Sequence, residues 1–383
     1  MDYVIELKRH FHKYPELSGE EINTSKRIKE ELEKLNIPHE SVGDFGIIGT
    51  LEGKRSGKTI VLRADIDALP IVESQNNING EKDIISSTPG IFHACGHDGH
   101  TAMLLGSAKE LSSKRDEFNG TILFCFEQGE EDGSGVVPML EKLESKDVDG
   151  VWGIHLYSDL PTGQISVDTG PRMSGVHFFD VTVVGRGGHG SNPHQTIDPI
   201  SCTVNILSNL SSIISREINP AETSVLTVGK LSAGTAPNII PDTANFEGTI
   251  RYFDPKVSKK IVDSFYRIVK SIAIAHNCEV KISMKQPGYP VINDHELSHL
   301  AKESVIKSIG EEFLISCDPW MASESIGYYL EKYPGVFAFL GISNERIGTG
   351  AAHHNPAFDV DDSSLKNGVK ASVQFALDFL SRS

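Results

Sequence analysis

The 383-residue sequence has no uncharged apolar run of the roughly 18 residues needed to cross a membrane, so no membrane partner is expected. Cysteine is sparse: Cys95, Cys125, Cys202, Cys278 and Cys317 are scattered and odd in number. No apolar h-region follows the charged start "MDYVIELKRHFHKYPELSGEE", so no secretory signal is read and a cytoplasmic protein is expected. Without an export signal, a disulfide framework is not the organising device. Positive charge is in the minority, with 36 Lys and Arg against 52 Asp and Glu and a formal net charge of −16. A surface of that sign argues against a nucleic-acid partner, because phosphate binding needs a positive face. It leaves small anionic substrates open, since a local basic pocket can sit in an acidic protein.

What is present is ordinary globular material: 39% apolar and 23% charged residues, in a chain long enough for two domains. Residues 3–13 and 20–36 carry helical spacing of Val, Ile, Leu and Phe. "GIIGTLEG", "KTIVLRADID", "GTILFCFEQGEE" and "DGVWGIHLY" read as strands, and residues 100–112 as a helix with Asp98 as its N-cap. That alternation predicts an α/β sheet with the site at the carboxyl ends of its strands. From about residue 175 the order becomes strand ("GVHFFDVTVVG"), helix, two strands ("TSVLTVGKLSAG", "TANFEGTIRYF"), helix and strand ("CEVKISMKQ"). This is the β-α-β-β-α-β split motif of ferredoxin-like units. The expected architecture is an α/β catalytic domain, residues 1–174 plus 288–383, interrupted by a ferredoxin-like α+β domain over residues 175–287.

Five stretches place candidate ligands at strand ends or in glycine-rich loops: "RADIDALP" (63–70), "HACGHDGH" (93–100), "EQGEED" (127–132), "GIHLY" (153–157) and "AHHNPAFD" (352–359). Cys95 and His97 are two apart, which suits two ligands on a bent loop and not one helix face. Thiolate, imidazole and carboxylate together fit a borderline ion such as Zn²⁺ or Mn²⁺. The adjacent Glu130 and Glu131 suggest a division of labour, one carboxylate on metal and the other handling a proton. Taken singly, each His or Glu has an ordinary reading as a surface or hydrogen-bonded residue, and Asp65 and Asp67 as turn or cap residues. His10, His12, His39, His276 and His295 keep that reading. Cys125 and Cys202 read as small buried hydrophobes.

Together the stretches, with "GRGGHGSNPHQTIDPI" and "GTAPNIIPD" further on, resemble the dinuclear metallohydrolases of peptidase clan MH. The resemblance is to the branch of hippurate hydrolases, auxin-conjugate amidohydrolases and N-acyl-amino-acid deacylases, and it covers nearly the whole chain. It implies a metal-binding α/β domain with a ferredoxin-like lid. Five metal ligands are implied for two divalent ions (Mn²⁺ or Zn²⁺, with Co²⁺ or Ni²⁺ as options): Cys95, His97, Glu131, His155 and His354. Cys95 would bridge as a thiolate. Glu130 is implied as general base, and Asp67 as the aspartate that orients a ligand histidine from behind. His189 would reach the attacked carbonyl oxygen from the lid of a partner subunit, making the enzyme at least a homodimer. Asn238 and Arg251 would hold substrate, the arginine suiting a carboxylate. The implied reaction is hydrolysis of an N-acyl amino acid (acetyl, benzoyl or similar) or short peptide.

Two departures bear on this. The family usually reads Gln-Pro-Ala-Glu-Glu where this chain has Glu127-Gln128-Gly129-Glu130-Glu131, followed by Asp132, which leaves a one-residue register shift open. The usual Ser-Glu-Asp-Phe appears as Ser323-Glu324-Ser325-Ile326. The second departure bears on substrate choice, and the altered lead-in at 127–129 motivates an alternative: a catalytically impaired relative that binds metal or acyl-amino acid without turnover. A zinc nucleobase deaminase fails, because no His-x-Glu followed by Pro-Cys-x-x-Cys is present.

Overall fold

"TIVLRAD" and "TILFCFE" are apolar without alternation, and a strand of that kind must be covered on both faces. In the computed structural model, which describes residues 2–285 and 288–382, they are adjacent parallel strands, Thr59–Asp65 and Thr121–Glu127. They belong to a seven-stranded sheet. Its order is His39–Val42, Gly46–Glu52, Thr121–Glu127, Thr59–Asp65, Gly150–Pro161, Gly335–Ser343 and Ile165–Ser166. The four inner strands run parallel, and the outer ones pair antiparallel. Helices Asp2–Lys13, His97–Ser112, His295–Ile309 and Leu365–Ser381 contribute Leu7, Leu105, Leu300 and Phe375 to one contiguous core with Leu62, Phe124, Trp152 and Leu340. Trp152 stacks on Phe375 at 4.6 Å, and its indole N–H donates to Ser372 Oγ at 2.9 Å, so a large buried aromatic leaves no polar atom unpaired.

Helix His97–Ser112 begins three residues before the sequence-based expectation, and Asp98 is not its N-cap. Gly96 caps it in the left-handed region, φ +89, where a side chain would be strained. That turn starts the helix at His97 and draws Asp98 into the first turn. There Asp98 accepts from Gly99 N at 2.9 Å and His12 Nδ1 at 2.8 Å.

The second unit is a four-stranded antiparallel sheet in the order Ser224–Ala233, Thr243–Tyr252, Gly175–Val184, Glu279–Met284. Numbered by sequence this is 2-3-1-4, the ferredoxin-like arrangement, with helices Pro199–Ser212 and Pro255–Ala275 as its crossovers. Each helix opens with Asp-Pro: Asp198 and Asp254 accept from Ile200 N and Lys256 N, and proline fills the first helical position. Burial alternates along Gly175–Val184, so Phe179, Val181 and Val183 face the helices while Phe178 and Asp180 are exposed. Ser224–Ala233 is an open edge with Val225 and Leu231 exposed.

Contacts divide the chain at 172/173 and 291/292, and one further segment belongs to the second unit. Pro319–Gly327, assigned from sequence to the α/β domain, clusters with it. Ser174 N donates to Ala322 O and Arg251 Nη1 to Met321 O, pairings that no local periodicity announces. Gln286, at the end of the expected "CEVKISMKQ" strand, and the expected boundary at residue 287 lie outside the described residues.

Candidate metal centre and active site

Parallel strands deliver side chains to their carboxyl ends, and the α/β sheet does so here. Asp65 ends its strand, with Asp67 two residues on. Thr121–Glu127 leads into a turn at Gly129, φ +56, and then to Glu130 and Glu131. His155 stands within Gly150–Pro161, opposite Phe339 of the neighbouring strand. Cys95 and His97 flank the left-handed Gly96. His354 arrives from far along the chain and is held by its own backbone, its N–H donating to Ala94 O at 2.9 Å. His354 itself has φ +62, a strained conformation of the kind that collects at functional sites.

These segments bring the donor atoms together. Cys95, His97 and His155 each offer an atom within 4.8 Å of the others, as do Cys95, Glu131 and His354, and His97, Glu130 and Glu131. Cys95 Sγ lies 3.7 Å from His155 Nε2, and Glu131 Oε1 lies 3.4 Å from His354 Nε2 and 3.8 Å from His97 Nε2. His97 Nε2 and Glu131 Oε1 are buried without a hydrogen-bond partner. Orphaned buried polar atoms are costly. A thiol, imidazoles and carboxylates converging on such atoms fit a divalent ion, and the set is of the borderline kind.

The surrounding hydrogen bonds fix which nitrogen faces inward. His155 Nδ1 bonds to the Leu156 carbonyl, which accepts only, so the proton sits on Nδ1 and Nε2 carries the lone pair toward Cys95. Asp67 Oδ1 holds His97 Nδ1 at 3.1 Å. Its other oxygen accepts from Ser18 Oγ at 2.7 Å and Glu131 N at 3.0 Å. One carboxylate thus orients a histidine and the loop bearing both glutamates. Asp132 is outside these groups; its Oδ1 accepts from Ser134 N at 2.9 Å.

The unusual lead-in has structural work of its own. Glu127 is fully buried and takes both arms of Arg63, Nη2 at 3.2 Å and Nε at 3.3 Å, together with the Tyr329 hydroxyl. Arg63 Nη1 also donates to Asp65 at 2.9 Å. Asp65 in turn accepts from His100 Nδ1 at 2.7 Å, while His100 Nε2 accepts from Leu156 N at 2.9 Å. Gln128 Oε1 accepts from Gly46 N at 3.0 Å, and Gly129 N donates to Glu21 at 2.7 Å. Truncating Glu127 to Ala leaves Arg63 short of a buried counter-charge. It should cost about 3 kcal/mol of stability, read as a lowered melting temperature. An unchanged transition would show that Asp65 alone balances the arginine.

Electrostatics follows from burial and these pairs. Burial opposes charge on His97, but the Asp65 and Asp67 carboxylates outweigh it and hold its pKa well above the ordinary histidine value. Burial pushes the Cys95 thiol well up, against the pull of His97. Burial likewise raises Glu21, behind the Gly129 turn, to about 7.

Sequence reasoning treated His100 only as support, weighed Asp65 only as a turn or cap residue and Glu127 only as part of an altered lead-in, and passed over Ser18, Glu21, Arg63, Tyr329 and His353. The doubled histidine at 353–354 was the one visible signal for His353.

In the second unit, Ile239 pairs with His189 in a short ribbon, and Gly190 N donates to Asn238 O at 2.8 Å. His189 and Asn238 are therefore neighbours. Ser191 N donates to His189 Nδ1 at 3.1 Å, which leaves the exposed Nε2 as an N–H donor. Arg251 is not with them. Thr243 and Arg251 pair with Val184 and Val176 at opposite ends of the sheet, roughly 25 Å apart at the rise of a β-strand.

The profile of Peptidase family M20/M25/M40 matches residues 61–378. The chain is 38% identical to thermostable carboxypeptidase 1 of Saccharolobus solfataricus, over 99% of this chain and 95% of that protein. It is 36% identical to N-acetyl-L-cysteine deacetylase of Bacillus subtilis, over 96% of this chain and 85% of that protein. Among solved structures, a Bacillus subtilis protein described as a dinuclear metal binding peptidase superposes with a TM-score of 0.85 at 31% identity, covering 98% of this chain and 97% of that one.

Proposed function

This chain belongs to Peptidase family M20/M25/M40, and from that membership and the site's geometry we propose that it is a metal-dependent amidohydrolase acting on N-acyl amino acids or short peptides. The carrying observation is the convergence of Cys95, His97, Glu130, Glu131, His155 and His354 around buried orphan atoms. Two divalent ions bound there would supply Lewis acidity and lower the pKa of a water. Cys95, His97, Glu131, His155 and His354 are the proposed ligands, with Zn²⁺ or Mn²⁺ the ions that the donor set suits best. Glu130 takes the proton of the attacking water and returns it to the leaving nitrogen. Asp67 keeps His97 and the Glu130–Glu131 loop in place. The Nε2–H of His189 is the donor for the developing oxyanion, with Asn238 beside it. Arg251 pairs with the substrate carboxylate.

His189 lies in the short ribbon that follows the Val184–Thr243 end of the sheet, and Arg251 pairs at the sheet's other end. We therefore assign them to different active sites of a homodimer, with His189 and Asn238 acting in trans. The open edge Ser224–Ala233 suits pairing across a two-fold axis. No helix among the described residues is long and apolar enough to cross a membrane, and the proposed location is cytoplasmic.

The test is metal analysis joined to an assay against N-acetyl and N-benzoyl amino acids with Mn²⁺ or Zn²⁺ added. Turnover with about two ions per chain supports the reading. Binding of ions with no turnover anywhere favours the impaired relative instead. A second outcome follows from protonation. Burial raises the Cys95 thiol and the Asp65 and Asp67 carboxylates raise His97, while coordination needs both deprotonated, so binding releases protons and strengthens as pH rises. Calorimetry from pH 6 to 8 should show affinity rising about tenfold per pH unit for each proton released. A slope of one proton, left by His97 alone, would remove Cys95 from the ligand set, and a flat profile would remove both.

A further inference from the structure

The stretch "PELSGEE" (15–21) leads into helix Ile22–Lys34 and is braced just beyond the strand that ends at Asp65. Leu17 bridges to Ala68, whose N–H donates to Glu16 O at 2.8 Å. From that brace two side chains reach the segment that carries Glu130. Ser18 holds Asp67, which accepts from Glu131 N at 3.0 Å. Glu21 is fully buried and makes no side-chain cap to the helix it precedes. Its Oε1 instead accepts from Gly129 N at 2.7 Å.

Glu130 thus stands between two anchored amides, Gly129 on Glu21 and Glu131 on Asp67. The turn beyond closes on itself, with Gly133 N donating to Glu130 O and Ser134 N to Gly129 O, both at 3.1 Å. Gly129, at φ +56, is the residue with most freedom to move out of this arrangement. Its bond to Glu21 opposes that movement. Burial lifts the Glu21 carboxyl to about 7, with Asp67 adding to the rise and the amides of Glu21 itself, Gly129 and Gly19 opposing it. At neutral pH it therefore supplies an acceptor oxygen more than a full charge.

We propose that Glu21 is a positioning residue for the general base: by accepting the Gly129 N–H it fixes the turn on one side of Glu130, as Asp67 fixes the other, and so sets where the Glu130 carboxylate points. The proposal rests on the reading of Glu130 as the base. Glu21 touches neither substrate nor ion in it. A base displaced by about 1 Å loses about 10²-fold in rate, so the effect belongs in kcat and not in substrate binding.

Two variants separate the oxygen from the charge. Glu21→Gln keeps an oxygen for Gly129 N and gives up the charge. Glu21→Asp keeps a carboxyl but is one methylene too short to reach. For each, kcat, KM and ion content are measured on the enzyme loaded with Mn²⁺ or Zn²⁺, and hydrogen exchange is followed in residues 127–134. In Glu21→Asp, kcat should fall about 10²-fold with KM and ion content near the parent's. Exchange should quicken in 127–134 and not in the strand at 59–65. Glu21→Gln should stay within about tenfold of the parent in kcat. Added to Glu130→Gln, Glu21→Asp should lower the residual rate no further, because no base is left to aim. A Gln variant as impaired as the Asp variant would overturn the proposal, since the charge would then be what matters. Further loss on the Glu130→Gln background, or parent-like kcat in both variants, would overturn it too. If Glu21→Asp does not fold, Glu21→Leu takes its place in every comparison. Failure of the underlying reading looks different: the parent itself would turn nothing over, or Glu130→Gln would keep the parent's activity, while exchange in 127–134 would still report the hold on Gly129.

Discussion

Replacing Glu130 with Gln is expected to lower kcat about 10²–10⁴-fold while leaving ion content and fold near those of the parent. The change keeps the side chain's size and removes only its ability to take a proton. Glu131, whose Oε1 faces His97 and His354, keeps its hold on the site, and its N–H still donates to Asp67. The measurement is kcat with metal content determined on the same sample. Activity within tenfold of the parent would move the base elsewhere. A fall in metal content would instead make Glu130 a ligand, which its membership of the His97, Glu130, Glu131 cluster allows.

His189→Ala should cost about 10²–10³-fold in kcat with little change in KM, because an oxyanion donor acts in the transition state. The side chain is exposed, and its partners are Ser191 and the ribbon with Ile239, so stability should hold. The dimer gives this prediction a sharper form. His189→Ala and Glu130→Gln are each nearly inactive alone. Mixed and allowed to exchange subunits, they should recover about a quarter of the parent's sites, since half the dimers are hybrid and each hybrid has one complete site. No recovery after verified exchange would place His189 in its own subunit's site or outside catalysis.

How far these residues could be read from sequence differs from segment to segment. "TIVLRAD" and "TILFCFE" announced buried parallel strands, because both faces had to be apolar. The split β-α-β-β-α-β order and the Asp-Pro helix starts were legible for the same local reason. Cys95 and His97 stood out because glycine between and around them marks a bend that only glycine tolerates, and Gly96 at φ +89 is that bend. The cap reading of Asp98 failed, because a polar residue ahead of a helical run looks like a cap whichever residue makes the turn; its other reading, as support behind the ligands, was open too. The grouping of Pro319–Gly327 with the second unit was not legible, since its partners at Ser174 and Arg251 lie far off in sequence.

The sequence by itself determined the types of donor, the positions of the bends that carry them and the strands that end beside them. All of these are properties of a residue and its near neighbours. Tertiary structure decided the rest. It set which nitrogen of His155, His97 and His100 faces inward, and it separated Arg251 from His189 by the length of a sheet. It made Glu127 a buried counter-charge and turned Asp132 outward. Each of those depends on groups brought together from distant parts of the chain. A hydrogen bond fixes a tautomer or orphans an atom only once both partners are in place, and no local pattern records who the partner will be.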